Sequence, residues 1–366
     1  MAASYTPSIL LIDDHQAWLD NLRLALVDAL NDSSVEVRTW LPSVNDSDPL
    51  AKLESLVDRN TVLVATDYDL TSGMRGLFGP TIVGWCQQRF IPVGDFSRGN
   101  VAALPKEPNL FELRIPANDA DGARFIASTF NGFRSIRKSI ESDPKIISSK
   151  LSLAGVLATL LEKRELESQF ALYMTRLGAA NSYLLEKLKE FAGATQPSPS
   201  DKERLLTYVL GHVLLNAILK YPGPILSEKA LCAYLATSDD ETESIFGIFQ
   251  AAAYRGPFGL SARYYWRDEV DNKIDQLGVS VDSEQFEMFS DFNRNVVERA
   301  LGRKLGNHGC SRCGGEKGGF LCPFTQRPVC LRSDCSVAAS SWIPQGAQLC
   351  RVERDFYDEW APLLGL

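Results

Sequence analysis

Short apolar runs alternate with amphipathic stretches through the first 140 residues. SILLI (8–12), VEVRTW, TVLVAT, IPVGD and LFELRI read as strands. Between them, 16–30, 49–57, 78–88 and 119–139 carry apolar residues at helical spacing. That alternation predicts a doubly wound α/β domain, a five-stranded parallel sheet with helices on both faces. SVNDSDP, before the second helix, is polar and turn-rich and predicts a loop.

Beyond residue 143 the strand pattern stops. Leu153, Val156, Leu157, Leu160 and Leu161 recur at helical spacing, as do Leu172, Leu177, Leu184 and Leu188. They predict a helical pair or one long helix, packed on a core or seamed into a homodimer. GATQPSPSD (193–201) reads as a linker. A further helical block to 305 has Ser227 as the cap of a helix running through Leu235. The expected organisation is an α/β domain over 1–142, a helical domain over 143–305 and a small module over 306–366. A chain of 366 residues is too long for one ordinary core, which agrees with several domains.

Three aspartates carry the first chemical signal. Asp13 and Asp14 close the first strand, and Asp67 closes the third. Carboxylates gathered at neighbouring strand ends repel one another unless a cation joins them, and Mg²⁺ suits such oxygens. SILLIDDHQAW, followed by LDNLRLALVDAL, resembles the opening of a CheY-like receiver domain of response regulators. That resemblance implies a flavodoxin-like fold over roughly 7–140, Mg²⁺ held by Asp13, Asp14 and Asp67, and Asp67 as phosphoacceptor. It also implies a hydroxyl after the fourth strand, which Ser97 supplies, and a histidine kinase as partner. Receivers carry a lysine after the fifth strand, whereas Arg114, Ile115 and Pro116 stand here and Lys106 precedes the strand. A planar guanidinium does not replace a compact ammonium at a tight anionic site, so a phosphorylation-independent scaffold is an alternative.

ATDYDLTSG also resembles the opening motif of haloacid-dehalogenase-like phosphatases. On that resemblance Asp67 is the nucleophile and Asp69 the general acid/base, with Ser97, Lys145 and Asp239-Asp240 as downstream candidates. The remaining reading is that these acids only terminate strands.

Six of the eight cysteines, Cys310, Cys313, Cys322, Cys330, Cys335 and Cys350, fall within forty-one residues; Cys86 and Cys232 sit in apolar helical patterns as core thiols. The start of the chain shows no basic stretch followed by an apolar core. In that context clustered cysteines favour metal over disulfides, and the protein reads as cytoplasmic. The arrangement resembles a treble-clef or ribbon-like zinc finger. Cys310, Cys313, Cys330 and Cys335 are the expected ligands of a structural Zn²⁺, with Cys322 as the alternative and His308 as the next substitute.

Charge narrows the partners. A net charge of −8 argues against non-specific grip on nucleic acid by the whole chain. Between 294 and 332, however, Arg294, Arg299, Arg303, Lys304, Arg312, Lys317, Arg327 and Arg332 face only Glu298 and Glu316. This patch fits an acidic protein surface or nucleic-acid phosphates. LLTYVLGHVLLNAIL (205–219) is too short and too interrupted to span a membrane, so His212 within it is expected in a core. With three histidines and no Gly-rich phosphate loop, the residues favour a signalling or regulatory module over an enzyme.

Overall fold

A computed structural model describes residues 6–46, 48–96, 110–143, 145–146, 151–175, 199–260, 262–315 and 319–362. They divide into two compact units, each discontinuous in sequence. One is drawn from 1–152, 177–212 and 256–261, the other from 153–176, 213–255 and 262–366.

The first unit is built on a parallel sheet of order β2-β1-β3-β4-β5, formed by β1 Ser8–Ile12, β2 Glu36–Trp40, β3 Thr61–Asp67, β4 Val93–Phe96 and β5 Leu113–Arg114. This is the strand order of flavodoxin-like doubly wound sheets. Every residue of β1 is buried, as a central strand covered on both faces requires. Side chains of a strand alternate between faces. Leu10 and Ile12 join Val64, Leu53 of α2 (Pro49–Leu56) and Ile82, Trp85 and Cys86 of α3 (Gly79–Gln88). Ile9 and Leu11, fully buried, fall on the opposite face. Helix α1 (Gln16–Leu30) packs along α4 (Asp119–Ser142).

Helix α4 shows why these residues form it. Ala123, Ile126, Ala127, Phe130, Phe133, Ile136 and Ile140 are buried at spacings of three and four, making one apolar stripe. The Asn118 side chain caps it by accepting from the Ala120 and Asp121 amides at 3.1 Å each. Arg134 reaches from its exposed edge to Asp32 at 2.7 Å, tying α4 to the turn after α1. His212, on the helix Pro199–Val213, is a core residue as expected. It packs edge-on against Phe111, Phe133 and Tyr208, and burial pushes its imidazole down to about 3.

The second unit holds the helices Leu153–Leu160, Glu167–Met174, Glu228–Tyr234, Thr242–Phe249, Arg267–Gly278 and Phe289–Leu301. The Leu153–Leu161 stripe therefore ends in a short helix, broken where Glu162 takes φ +56. Leu177, Leu184 and Leu188 lie outside the described residues. Ser227 caps its helix as expected, accepting from the Ala230 amide. The block is not wholly helical: β6 Ile225–Ser227 and β7 Tyr264–Trp266 form an antiparallel pair. Three-residue strands flanked by helices leave no readable period-two pattern. The chain ends in two small antiparallel pairs, β8 Phe320–Leu321 with β9 Pro328–Val329 and β10 Ser336–Val337 with β11 Val352–Glu353, then the helix Arg354–Trp360. No helix among the described residues is long and apolar enough to cross a membrane.

Gly132 of α4 has a packing role that Gly84 of α3 does not share. A Cβ there would stand 2.0 Å from the Phe258 ring, whereas one at Gly84 of α3 would meet nothing within 4 Å. We therefore expect Gly132→Ala to cost about 1–3 kcal/mol through overpacking. Gly84→Ala should stabilise by roughly 0.5–1 kcal/mol through helix propensity. Denaturant unfolding of the two variants beside the native chain checks both signs.

Candidate functional sites

The first site lies at the carboxyl ends of β1 and β3. In this strand order the connections leave β1 and β3 in opposite directions, opening a crevice between their ends, where doubly wound sheets place ligands. Ile12 pairs with Thr66, so the next step of the register sets Asp13 beside Asp67. The sheet thus brings the three predicted aspartates to one end of two adjacent strands.

The Asp13 and Asp14 side chains are 1% and 0% exposed. Buried carboxylates need donors, and these find theirs locally. Asp13 accepts from the His15 amide at 2.9 Å, and Asp14 accepts from the Gly73 amide at 3.0 Å. The His15 ring Nδ1 stands 2.7 Å from Asp14. His15 is the N-cap position of α1, and its imidazole also belongs to the acidic cluster. The oxygens of Asp13 and Asp14 and a ring nitrogen of His15 all lie within 4.8 Å of one another. Asp67 is not a member of that group; its Oδ1 accepts from the Tyr68 amide at 2.8 Å.

Two glycines make this approach possible. A Cβ on Gly73 would come within 2.4 Å of the Pro42 carbonyl oxygen and 2.8 Å of the Asp14 Cβ. One on Gly79 would come within 2.3 Å of the Asp67 carbonyl oxygen. Between them, the loop 68–78 is pinned to the core by Leu70 and Leu77, both buried, and folds over the acidic pair. Neither Gly73 nor His15 emerged from the sequence as part of the site. Their one sequence trace is the pair of leucines, Leu70 and Leu77, seven apart in that loop.

Asp69 points elsewhere. It accepts from the Thr71 amide at 3.0 Å and the Thr71 hydroxyl at 2.6 Å, and these bonds lower its pKa. Ser97 and Lys106 lie outside the described residues. Arg114 occupies β5 as an exposed residue, followed by buried Ile115.

The second site is the cysteine cluster. The sulfurs of Cys310, Cys313, Cys330 and Cys335 all lie within 4.8 Å of one another, with Cys313 and Cys330 3.9 Å apart. Tetrahedral Zn–S bonds of about 2.3 Å place sulfurs about 3.8 Å apart, so the spacing fits zinc. Cys322 is buried outside this group, its amide donating to Arg327 in the β8–β9 hairpin. His308 is buried and also outside it. Cys310 opens a tight turn closed by Gly314 (φ +63), whose amide donates to the Cys310 carbonyl. Burial pushes the Cys310 thiol up, but the amides of Cys313, Arg312 and Cys330 outweigh it and hold it down to about 7. Burial raises Cys330, and raises Cys335 to about 12. The cluster accommodates one thiolate readily, and further ionisation calls for a cation.

A second layer holds both turns in place. Glu353 of β11, 5% exposed, accepts from the Ser311 hydroxyl at 3.0 Å and lies 3.7 Å from Arg327. Ser336 donates to the Cys330 carbonyl, and Arg351 in turn donates to Ser336 at 2.7 Å. Of these, Arg351 and Glu353 lie past the cysteine window and gave no sequence signal. Glu298 of the 294–332 stretch, and Glu241, Asp334 and Asp355 from outside it, meet the basic patch. Arg303 pairs with Glu241, Arg294 and Lys304 with Glu298, Arg312 with Asp355 and Arg332 with Asp334. Five of the eight basic residues counted along 294–332 are thereby held in ion pairs.

No family model, no curated protein and no solved structure matches the chain.

Native mass spectrometry and metal analysis should find one Zn²⁺ per chain, lost in Cys335→Ser. Glu353→Gln should keep the metal but bind it about 10–100-fold more weakly, as loss of an outer-layer partner does. Because the thiols release protons on binding, chelator competition should show affinity falling as pH is lowered.

Proposed function

We propose that the first unit is a receiver-like signalling module and that the second carries a structural zinc finger which docks a protein partner. The observation that carries the first half is the placement of Asp13, Asp14 and Asp67 at the ends of adjacent β1 and β3 in a sheet of order β2-β1-β3-β4-β5. Asp13 and Asp14 offer the hard oxygen ligands that Mg²⁺ takes, and a cation there would offset the repulsion of two buried carboxylates. His15, 55% exposed at its side chain, can swing away to admit the ion. The bound ion would supply positive charge for an incoming phosphoryl group. Asp67 would accept that group: a carboxylate oxygen bonds phosphorus while the donor's oxygen leaves with the electron pair.

The phosphatase reading has less support. A general acid at neutral pH needs a raised pKa, and Thr71 lowers that of Asp69. A phosphorylation-independent scaffold remains the second reading, because arginine stands in β5 where a receiver carries its lysine nearby.

The partner reading rests on charge. Ion pairs compensate much of the basic surface near the finger, which suits a protein surface better than a run of phosphates. Zinc held by Cys310, Cys313, Cys330 and Cys335 would fix the fold of this segment, whose strands are only two residues long.

Intact mass after incubation with Mg²⁺ and acetyl phosphate tests the phosphoacceptor. We expect one phosphoryl group on the native chain and none on Asp67→Ala. Catalytic release of phosphate without an adduct, abolished in Asp69→Asn, would establish the phosphatase instead. Absence of both would leave the scaffold.

A further inference from the structure

The opposite end of the same sheet holds a cavity of about 330 Å³. It is formed where β3 and β4 begin, beside the last turns of α4 and the helix Pro199–Val213. Its volume is within the range of small-molecule sites. One wall is apolar, made by Val62, Phe90, Ile91 and Pro92. Phe90 holds φ +56, a left-handed backbone that a bulky residue adopts only when its surroundings enforce it.

The other wall is charged and carries an imbalance. Arg59, Arg137 and Arg204 line the cavity with Glu141 and Glu203, three guanidinium groups against two carboxylates. Arg137 takes up both acids, donating to Glu141 at 3.0 Å and Glu203 at 2.8 Å. Among the described residues no ion pair engages Arg59 or Arg204. Thr207 supplies an independent sign of a ligand. It is 6% exposed, lines the cavity, and its hydroxyl is buried with no hydrogen-bond partner. A helical threonine normally satisfies that group on the carbonyl one turn back, and a buried hydroxyl left unpaired is costly.

We propose that this cavity binds a small oxyanion with a flat apolar body, its anionic end on Arg59, Arg204 and the Thr207 hydroxyl and its body on Phe90, Ile91 and Pro92. The shared chemistry is a phosphate monoester or a carboxylate attached to an aromatic ring. Guanidinium forks and a hydroxyl donor match such oxygens, and the apolar wall rewards the ring. The inference does not depend on the aspartate site, which lies at the other end of β1 and β3.

Isothermal titration calorimetry of the full chain, without Mg²⁺, with phenyl phosphate and separately with benzoate, tests it. Saturable binding with Kd on the order of 1 mM or tighter is expected for at least one probe. Which probe binds tells a phosphate from a carboxylate source. Arg204→Gln and Arg59→Gln should each weaken it roughly 10-fold, and Thr207→Val by about threefold, with unfolding temperatures close to native. No saturable heat with either probe, or binding that survives in the doubly substituted Arg59→Gln/Arg204→Gln chain, overturns the proposal.

Discussion

Two carboxylates side by side, buried at the end of the central strand, set the terms for the first unit. Asp13 and Asp14 close an apolar strand in which every residue is buried, and their side chains stay out of solvent. Such charges persist only where donors or cations meet them. The amides of His15 and Gly73 and the His15 imidazole meet part of that demand. The need for the Gly73 amide explains why the loop 68–78 folds inward, why a side chain cannot stand at 73, and why Leu70 and Leu77 anchor it. Gly79 then lets α3 begin directly against the backbone of Asp67. The acidic end and the start of α3 are one construction.

The cysteine module answers a related problem with less core. Its strands are two residues long, and its two cysteine turns are held by amide-to-sulfur bonds and by a layer of Glu353, Ser311, Ser336 and Arg351. Four thiols within 4.8 Å cannot all ionise without a cation. In both places clustered acidic groups would be stabilised by a metal suited to their atoms: oxygen for Mg²⁺, sulfur for Zn²⁺.

Much of this was legible in the chain because it rests on local periodicity. SILLI and TVLVAT read as strands of a parallel sheet and are, and the α4 stripe follows from apolar residues every three or four positions. The close approach of Cys310, Cys313, Cys330 and Cys335 also follows the expected grouping, although spacing alone left Cys322 as an alternative to one of the four. Hairpin pairing removes that alternative by burying Cys322 elsewhere. What stayed hidden depends on distant partners. Gly73 meets Asp14 across 59 positions, and Glu241 meets Arg303 across 62. A count of charges along 294–332 could not see Glu241 and Asp355, which fold against it from outside that stretch. The β6–β7 pair was hidden for a different reason, since three residues are too few to show alternation.

The central claim is that the buried aspartate pair is a cation site. Titration of the full chain with Mg²⁺, followed by calorimetric unfolding of the native protein and of Asp13→Asn, tests it most directly. The account predicts saturable stabilisation of the native chain, about 1.4 kcal/mol when Mg²⁺ reaches roughly ten times its Kd, and none in the variant. A native chain indifferent to Mg²⁺, with Asp13→Asn more stable than it, would show a pair that only repels and would contradict the account.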